Sequence, residues 1–182
     1  MAVVKLPDPE RPVIVTERLE LWMPTAEDIK PLIDIVMHEE TARYLGSNAN
    51  HADHYTRFQR NAGSWILHGY GGFIVRERGA AAAIGNCGIF HSYRGMGKDF
   101  DDKPEAGWII AHGCEGKGYA REAMDAALSW FERAHGQQII VCMIEQGNEA
   151  SFALASRLGF AEIRRTSLPK TAEIVLMARG AE

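Results

Sequence analysis

The hydrophobic positions in the first third of the chain follow two different spacings. Residues 13–15 and Leu19–Trp22 are short segments rich in β-forming side chains, and together they predict an opening strand. Residues 25–28 have the form of a capping box, and the apolar positions after it recur with helical period, which predicts an amphipathic helix. A second helical stripe follows and is expected to pack in the core; it consists of Tyr55, Phe58, Ala62, Trp65 and Ile66.

The spacing changes to that of strands near the middle of the chain. Residues 73–75, 83–90 and 106–111 are predicted strands, and the first two are close enough to form a hairpin around residues 77–79. The charged, glycine-bearing segment 94–104 separates the second strand from the third. We expect this segment to be a mobile loop at the lip of a site.

The last third of the chain alternates between strands and helices. A glycine turn leads into a helix that Gly136 is expected to end, and the continuous apolar run 139–144 is typical of a buried parallel strand. Strand, helix and strand together predict one βαβ unit. A short helix from Asn148 to Leu158 and a last strand at 174–177 complete the pattern. The predicted class is therefore α/β (α+β), with a mixed sheet that starts antiparallel and ends with one parallel crossover.

No internal repeat, homopolymer tract or flexible linker divides the chain. Its 182 residues correspond to about one domain on a prior of roughly 150 residues per domain. We predict an N-terminal extension over 1–12 and a single domain over 13–180. Proline and charge interrupt the N-terminal segment before the apolar core of a signal peptide could form. No apolar run approaches the ~20 residues that span a bilayer, so no membrane partner is expected.

Charge and cysteine content narrow the function classes further. The 20 basic and 24 acidic residues give a net charge of −4, which leaves no global basic field to recruit nucleic acid or anionic lipid. Cys87, Cys114 and Cys142 are odd in number and widely spaced, which argues against a disulfide framework or a structural zinc site and favours a reducing cytoplasm. His51 and His54 are expected on a helix surface, with no metal bound. The sequence is compatible with a monomer or a homodimer.

Glycine is the residue type in marked excess. The 18 glycines make up about a tenth of the chain against ~7% on average, and they concentrate between Gly69 and Gly118. Residues 113–121 follow a predicted strand and open a helix, where unpaired N–H groups and the helix dipole converge. Gly116 and Gly118 let the backbone approach an anion closely. The predicted occupant of this turn is a phosphate or pyrophosphate.

The glycine turn differs from two common phosphate-binding loops. A Walker A loop is excluded, because the chain contains no GxxxxGK(S/T) motif; Gly97 and Lys98, for example, are followed by Asp99. A dinucleotide fingerprint fits poorly, because the third glycine is missing and the strand comes late in the chain. A tight strand-to-helix turn with no ligand remains open when the turn is taken alone.

A second motif stands at the equivalent place in the next strand–helix unit, where Asn148-x-x-Ser151 is followed by Arg157-Leu158-Gly159-Phe160. With it, residues 13–177 resemble the GNAT acyltransferase superfamily, in particular its RimJ/RimL-like N-acetyltransferases. Three further segments carry the resemblance. Thr16-Glu17-Arg18-Leu19 is similar to the family's opening strand, and residues 105–110 are similar to the strand before the loop. Residues 116–120 with Glu122-Ala123 are similar to the acetyl-CoA pyrophosphate motif.

The resemblance implies acetyl-CoA as co-substrate, with no metal, and direct attack by an amine in a ternary complex. It implies a twisted sheet with splayed crossover strands, helices on both faces, and a pantetheine arm that pairs with the main chain of Ile109, Ile110 and Ala111. Asn148 would face this arm near the thioester. The pyrophosphate would lie on the amides of Glu115, Gly116, Lys117, Gly118, Tyr119, Ala120 and Arg121, of which Lys117 and Arg121 add cations.

Two residues are candidates for the chemistry. A base is needed, because a primary amine with a pKa near ~10.4 must lose a proton before it attacks. The resemblance implies Glu105 for this role, since it starts the strand that leads to the cofactor and faces the acceptor side in the family. The alternative is that Glu105 is a solvated acid at a strand end. RimL-like members imply a serine near the sulfur as the acid, here Ser151; the alternative is a hydroxyl that shares helix capping with Asn148. Many relatives have a tyrosine where Ala155 stands, and Arg or Gln where Glu115 stands, so the Glu115 side chain is expected to turn outward.

Two other function classes fit the same residues. The missing tyrosine and Glu115 would suit a non-catalytic acyl-CoA-binding or sensing module, and the glycine turn would suit a nucleotide-binding protein. For an acetyltransferase, the acceptor is a protein N-terminal amine or a small-molecule amine. We expect it to be chosen by three regions: the aromatic helix (Tyr55, Phe58 and Trp65), the 94–104 loop and the segment around Arg164 and Arg165.

Overall fold

The computed structural model describes residues 6–46, 50–167 and 173–180. The first five residues of the predicted N-terminal extension, and residues 47–49 and 168–172 of the predicted domain, lie outside the described residues. The first part of the chain consists of β1 (Ile14–Val15), β2 (Leu19–Trp22), a 3-10 turn (Ala26–Asp28), α1 (Ile29–Met37), α2 (Glu39–Ala42) and α3 (His51–His68). The rest consists of β3 (Gly72–Glu77), β4 (Ala83–Ser92), β5 (Lys103–Ile110), α4 (Tyr119–His135), β6 (Ile140–Glu145), α5 (Glu149–Arg157), β7 (Ala161–Ser167) and β8 (Glu173–Arg179).

The described strands form one sheet in the order β1-β2-β3-β4-β5-β6-β8-β7. Neighbouring strands are antiparallel except β5 and β6, which are parallel and are joined through α4. The predicted fold class, a mixed and mostly antiparallel sheet with one parallel crossover, is confirmed.

Alternate residues of β3 show how helices cover both faces of the sheet. Phe73 and Val75 are fully buried in a cluster with the apolar face of α4, whereas Ile74 packs with Leu32 of α1 and Phe58 of α3. The buried face of α4 follows its predicted helical period and consists of Ala123, Met124, Ala127, Leu128 and Phe131. This arrangement fixes the N-terminal end of α4 beside the end of β5.

Local signals give the ends of several elements correctly. Thr25 and Asp28 form the predicted capping box, in which the Asp28 carboxylate accepts the Thr25 N–H at 2.9 Å. Gly136 ends α4 as predicted. Asn148 begins α5, and its side-chain oxygen accepts the Ser151 N–H at 3.1 Å.

Several sequence predictions require correction. The predicted opening strand is a hairpin of two strands, β1 and β2, because residues 16–18 turn the chain back on itself. The edge strand β7 was missed, because its charged and largely exposed residues lack the alternation of a half-buried strand. The aromatic stripe of α3 is only partly core: Phe58 and Trp65 are buried, but Tyr55 and Ile66 are 42% and 63% exposed.

The predicted mobile loop is shorter than expected and is anchored. Strand β5 begins at Lys103, so the loop spans 93–102. Phe100, three residues before β5, is fully buried, and the Asp101 carboxylate accepts the N–H groups of Arg94 and Gly97 at 2.9 and 2.8 Å. These contacts hold the loop as a fixed wall beside the start of β5.

All three cysteines are unpaired, and Cys87 and Cys142 are buried. Among the helices in the described ranges, none combines the length and apolar content that crossing a bilayer requires.

His54 does not lie on a helix surface as predicted, because its side of α3 packs inward and leaves the residue 6% exposed. Burial, and then the positive charge of Arg57, lower its pKa, and burial also lowers the pKa of His68 and His135. The folded chain therefore binds fewer protons than the unfolded chain below the reference pKa of ~6.5.

Because of this difference, the contribution of these histidines to the free energy of unfolding is fully present above about pH 6.5. It is lost as the pH drops through their lowered pKa values. Each kcal/mol lost lowers Tm by roughly 2–4 °C in a chain of this size. Thermal unfolding at a series of pH values should show the fall, and His54→Gln should flatten it. Parallel curves for both proteins would remove His54 from this explanation.

Candidate functional site

The parallel strands β5 and β6 separate soon after they meet. Glu105 opposite Val141 is the one registered pair between them in the described residues, although β5 continues to Ile110 and β6 to Glu145. Backbone groups on the facing edges beyond this pair have no sheet partner across the gap. The gap is therefore a place where an extended ligand can hydrogen-bond as an extra strand.

A cleft of about 290 Å³ opens at this gap. Strands β5 and β6 and helix α5 form one wall, which includes Trp108, Ile109, Glu145, Asn148 and Ser151. Helix α3 and the loop after β4 form the other wall, which includes Arg57, Arg60, Asn61 and Arg94, and Glu105 near the start of β5 lies where the two walls meet. The cleft thus brings both candidate catalytic residues together with Ile109 and Asn148.

The direction of each main-chain group in β5 corrects the predicted contacts. The Ala111 N–H donates to the Ile84 carbonyl of β4 at 2.8 Å, and the Ile109 carbonyl lies so close to β4 that a Cβ on Gly85 would meet it at 2.2 Å. Because main-chain groups alternate between the two sides of a strand, those of Trp108 and Ile110 face the gap. The prediction is therefore wrong for the main chain of Ile109 and Ala111.

The glycine turn follows β5 and leads directly into α4. Gly116 and Gly118 have φ angles of +73° and +80°, in the left-handed region that side chains disfavour. The first helical bond of α4 runs from the Glu122 N–H to the Gly118 carbonyl at 3.1 Å. The preceding amides, Tyr119 to Arg121, have no helical acceptor and stand at the positive end of the helix dipole.

A contact that sequence reasoning missed fastens this turn to the first hairpin. The Glu122 carboxylate accepts the Thr16 hydroxyl at 2.6 Å and the Arg18 Nε at 2.7 Å. Arg18 also donates to the Lys117 carbonyl at 2.9 Å. Burial opposes the ionised form of Glu122, but the bonds from Thr16 and Arg18 outweigh it and lower the pKa. The acid in the first turn of α4 is thus neutralised and turned away from the free amides.

Glu115 is exposed to solvent, but its carboxylate stays bound to the glycine turn. Its carboxylate accepts the Gly113 N–H at 2.6 Å and lies 3.4 Å from His112 Nδ1. Burial opposes its ionised form, but backbone amides of the turn and His112 outweigh that effect and lower its pKa. A free N–H of the turn attracts the nearest carboxylate, and the same property would attract a phosphate.

Glu105 is not a solvated acid at a strand end. It is 2% exposed, and its two carboxylate oxygens accept Arg94 Nε and Nη2 at 2.6 and 2.7 Å. The bidentate pair holds the carboxylate at a fixed position in the cleft wall. Each oxygen keeps a second lone pair that can accept a water or an amine N–H.

The hydroxyl of Ser151 is not used for helix capping. The capping bond to Asn148 comes from the Ser151 main-chain N–H, while Trp108 Nε1 donates to Ser151 Oγ at 3.1 Å. Because an indole nitrogen can only donate, the Ser151 oxygen accepts, and its proton is left for an acceptor in the cleft. Ala155, at the position of the tyrosine in many relatives, is fully buried in the core.

Sequence reasoning missed part of the cleft. Trp65, expected to contact the acceptor, packs in the core with its indole on the Gly72 carbonyl at 3.1 Å. Arg57, Arg60 and Asn61 line the cleft instead. Their spacing of three and four residues places them on one face of a helix, a signal that was available in the sequence.

Comparison with known proteins agrees with this geometry. A family model described as acetyltransferase (GNAT) domain matches residues 18–161. A GnaT-family protein from Bordetella pertussis is 28% identical with a TM-score of 0.81, and the match covers 93% of this chain and 99% of that one.

More distant structures share the fold. An acetyltransferase from Agrobacterium tumefaciens is 24% identical with a TM-score of 0.75, and the match covers 91% of this chain and 92% of that one. RimL, the ribosomal L7/L12 alpha-N-protein acetyltransferase, is 18% identical with a TM-score of 0.70 and 94% coverage of both chains.

Proposed function

The chain belongs to the GNAT acetyltransferase family, whose members use acetyl-CoA, and from this premise we propose that it transfers the acetyl group to a primary amine by direct attack in a ternary complex. The observation that carries the proposal is the gap between β5 and β6. One end of this gap leads to the free amides of the glycine turn, and the cleft at the gap contains Ser151 and Glu105. We propose that residues 13–180 work as one domain in the cytoplasm.

Main-chain groups of the gap and the turn suit the two polar parts of the cofactor. The amides and carbonyls of Trp108 and Ile110 would bind the pantetheine arm as an added strand, and Asn148 would face its thioester end. The amides of residues 115–121 would bind the pyrophosphate, with Lys117 and Arg121 beside it. Glu115 would release the Gly113 N–H as the phosphates approach.

Acetylation of a protonated amine removes two protons from the nitrogen and supplies one to the sulfur. The Glu105 carboxylate would accept one proton from the ammonium through a water and pass it to solvent, and the neutral nitrogen would then attack the thioester carbonyl. The nitrogen of the adduct is cationic, and it would lose its second proton to Glu105 through the same water. As the C–S bond breaks, the thiolate would take the Ser151 hydroxyl proton, while the N–H bond of Trp108 steadies Ser151 Oγ. Solvent then returns the proton to Ser151 and removes the one on Glu105.

Ser151→Ala is expected to lower kcat by about a hundredfold or more, in the range of a lost general acid. The dissociation constant of acetyl-CoA should change little, because the helix cap uses the main-chain N–H of Ser151 and not its hydroxyl. Steady-state kinetics and titration calorimetry measure the two quantities separately.

Ser156→Ala is the matched control, because Ser156 is an exposed serine of the same helix outside the cleft. It should leave kcat unchanged. Trp108→Phe, which removes only the N–H donor to Ser151, should lower kcat by a smaller factor. Equal kcat values for Ser151→Ala and Ser156→Ala would take Ser151 out of the mechanism.

The alternative, a non-catalytic acyl-CoA-binding module, is favoured by Glu115 and Ala155. It predicts tight binding of acetyl-CoA without transfer to any amine. A nucleotide-binding protein predicts that NAD or ATP competes for the turn, whereas the proposed function predicts competition by CoA alone.

A further inference from the structure

The α3 wall of the cleft carries a concentration of positive charge. Arg57 and Arg60 lie one helical turn apart on this wall, and Arg94 of the loop after β4 lines the same wall. Arg94 forms a bidentate pair with Glu105. Arg57 and Arg60 form no ion pair with any of the described residues.

The two arginines are also short of other partners. Arg57 Nη1 donates to the Leu45 carbonyl at 2.8 Å, and the Arg60 guanidinium lies 5.9 Å from the centre of the Phe90 ring. Neither contact supplies negative charge. The two internal segments outside the described ranges, 47–49 and 168–172, contain no aspartate or glutamate.

The surroundings of Arg57 and Arg60 change the pKa of both guanidinium groups. Burial in the cleft wall, and then the positive charge of Arg94, lower the pKa of Arg57 and Arg60. Asp53 and Glu105 oppose the change without overcoming it. Arg57 is half-buried and Arg60 is exposed to water, so charged groups of the protein compensate the two cations only in part, and a bound anion would stabilise both.

A third polar group on the same wall lacks a partner. The side-chain oxygen of Asn61 is buried and has no hydrogen bond with the described residues. Asn61 lies four positions after Arg57 on the same helix face and lines the same cleft. Polar groups without protein partners that converge on one cleft are typical of a ligand site.

We propose that the acceptor is a small amine that also carries an oxyanion, a carboxylate or a phosphonate, and that Arg57 and Arg60 bind this oxyanion at the α3 side of the cleft. The inference rests on the proposed acetyl transfer and names its substrate class. Guanidinium groups match planar or tetrahedral oxyanions through paired N–H donors. An amine without an anionic group would be repelled, in its protonated form, by the positive charges of Arg57 and Arg60.

The size of the cleft favours a small acceptor. Its volume of about 290 Å³ is at the lower end of ligand pockets, which run from roughly 300 to 1,000 Å³. The acetyl end of the cofactor must share this space. Amine and oxyanion therefore belong to one compact molecule, with the amine directed to Glu105 and the oxyanion to α3.

The first experiment measures acetylation of matched amines that differ only in the anionic group, such as an amino acid and its carboxamide or an aminoalkyl phosphonate and its neutral ester. Each rate is divided by the fraction of the amine that is neutral at the assay pH. We expect wild-type kcat/KM to favour the anionic members by about tenfold to a hundredfold, the range of charge-assisted hydrogen bonds. Arg57→Gln and Arg60→Gln should each lose most of that preference, whereas Arg78→Gln, in the exposed β3–β4 turn, should keep it.

A second experiment is independent of turnover. Calorimetry measures how carboxylates and phosphonates without an amine bind to the complex of the protein with CoA. Binding that weakens in Arg57→Gln and Arg60→Gln supports the oxyanion site even if no amine is acetylated, an outcome that would overturn only the proposed function. Equal acetylation of anionic and neutral amines, with no such binding, would overturn the oxyanion site and leave the proposed function standing. Acetylation confined to peptides would overturn the assignment to a small acceptor.

Discussion

Gly116→Trp is expected to weaken acetyl-CoA binding by about a hundredfold or more. At a φ of +73°, a residue with a side chain is strained and relaxes by moving the turn. The amides that converge on the pyrophosphate would then diverge, and losing two charge-assisted hydrogen bonds of ~1.5–3 kcal/mol each accounts for the effect. Titration calorimetry with acetyl-CoA measures it.

Gly79→Trp is the matched control for strain. Gly79 has a φ of +77° and, like Gly116, has no heavy atom within 4 Å of where a Cβ would stand. It lies in the β3–β4 hairpin, away from the gap. Both variants should lose similar stability, but only Gly116→Trp should lose affinity. Similar affinities for the two variants would mean that the glycine turn does not bind the cofactor.

Glu105→Gln is expected to lower kcat by about a hundredfold to ten-thousandfold at neutral pH, the range of a lost general base. Acetyl-CoA affinity should change little, because Glu105 lies where β5 and β6 are still paired. The deficit should narrow as the pH rises towards the pKa of the amine, because solvent then supplies more of the neutral form. A pH–rate profile measures this.

The control for Glu105→Gln must also break a buried ion pair. Asp28 pairs with Arg76 at 2.8 Å, and the side-chain exposures of 4% and 21% resemble the 3% and 22% of Glu105 and Arg94. Asp28→Asn should cost comparable stability, ~3–5 kcal/mol at most, and leave kcat intact below the unfolding temperature. A constant deficit at every pH for Glu105→Gln, or an equal loss of kcat in Asp28→Asn, would assign Glu105 a structural role.

Elements with strong local signals could be predicted from the sequence. Helix α4 has a full apolar face and a glycine stop, and α5 has Asn148 as its cap, so both were placed correctly. Strand β7 carries no such local signal. Its charged residues, among them Glu162, Arg164 and Arg165, form a strand at the sheet edge because they pair with β8. Pairing with a distant strand cannot be recognised from local spacing.

The same division holds for the site. The glycine turn is one continuous segment, so its residues could be named from the sequence. The bond from Trp108 to Ser151 joins residues 43 positions apart, and the bond from Arg18 to Glu122 joins residues 104 positions apart. Neither could be predicted without knowing which faces meet. The bond from the Gly113 N–H to the Glu115 carboxylate was not predicted, because the sequence does not show how the turn orients that amide.

The most direct test of the proposed function is an assay of acetyl transfer itself. The protein is incubated with acetyl-CoA and a panel of zwitterionic amines, neutral amines and peptides, while thiol release and the mass of each amine are followed. We predict release of CoA thiol in step with an acetylated amine, at a rate that Ser151→Ala and Glu105→Gln both depress. Tight binding of acetyl-CoA without thiol release for any amine would contradict the proposed function and make the protein a binding module.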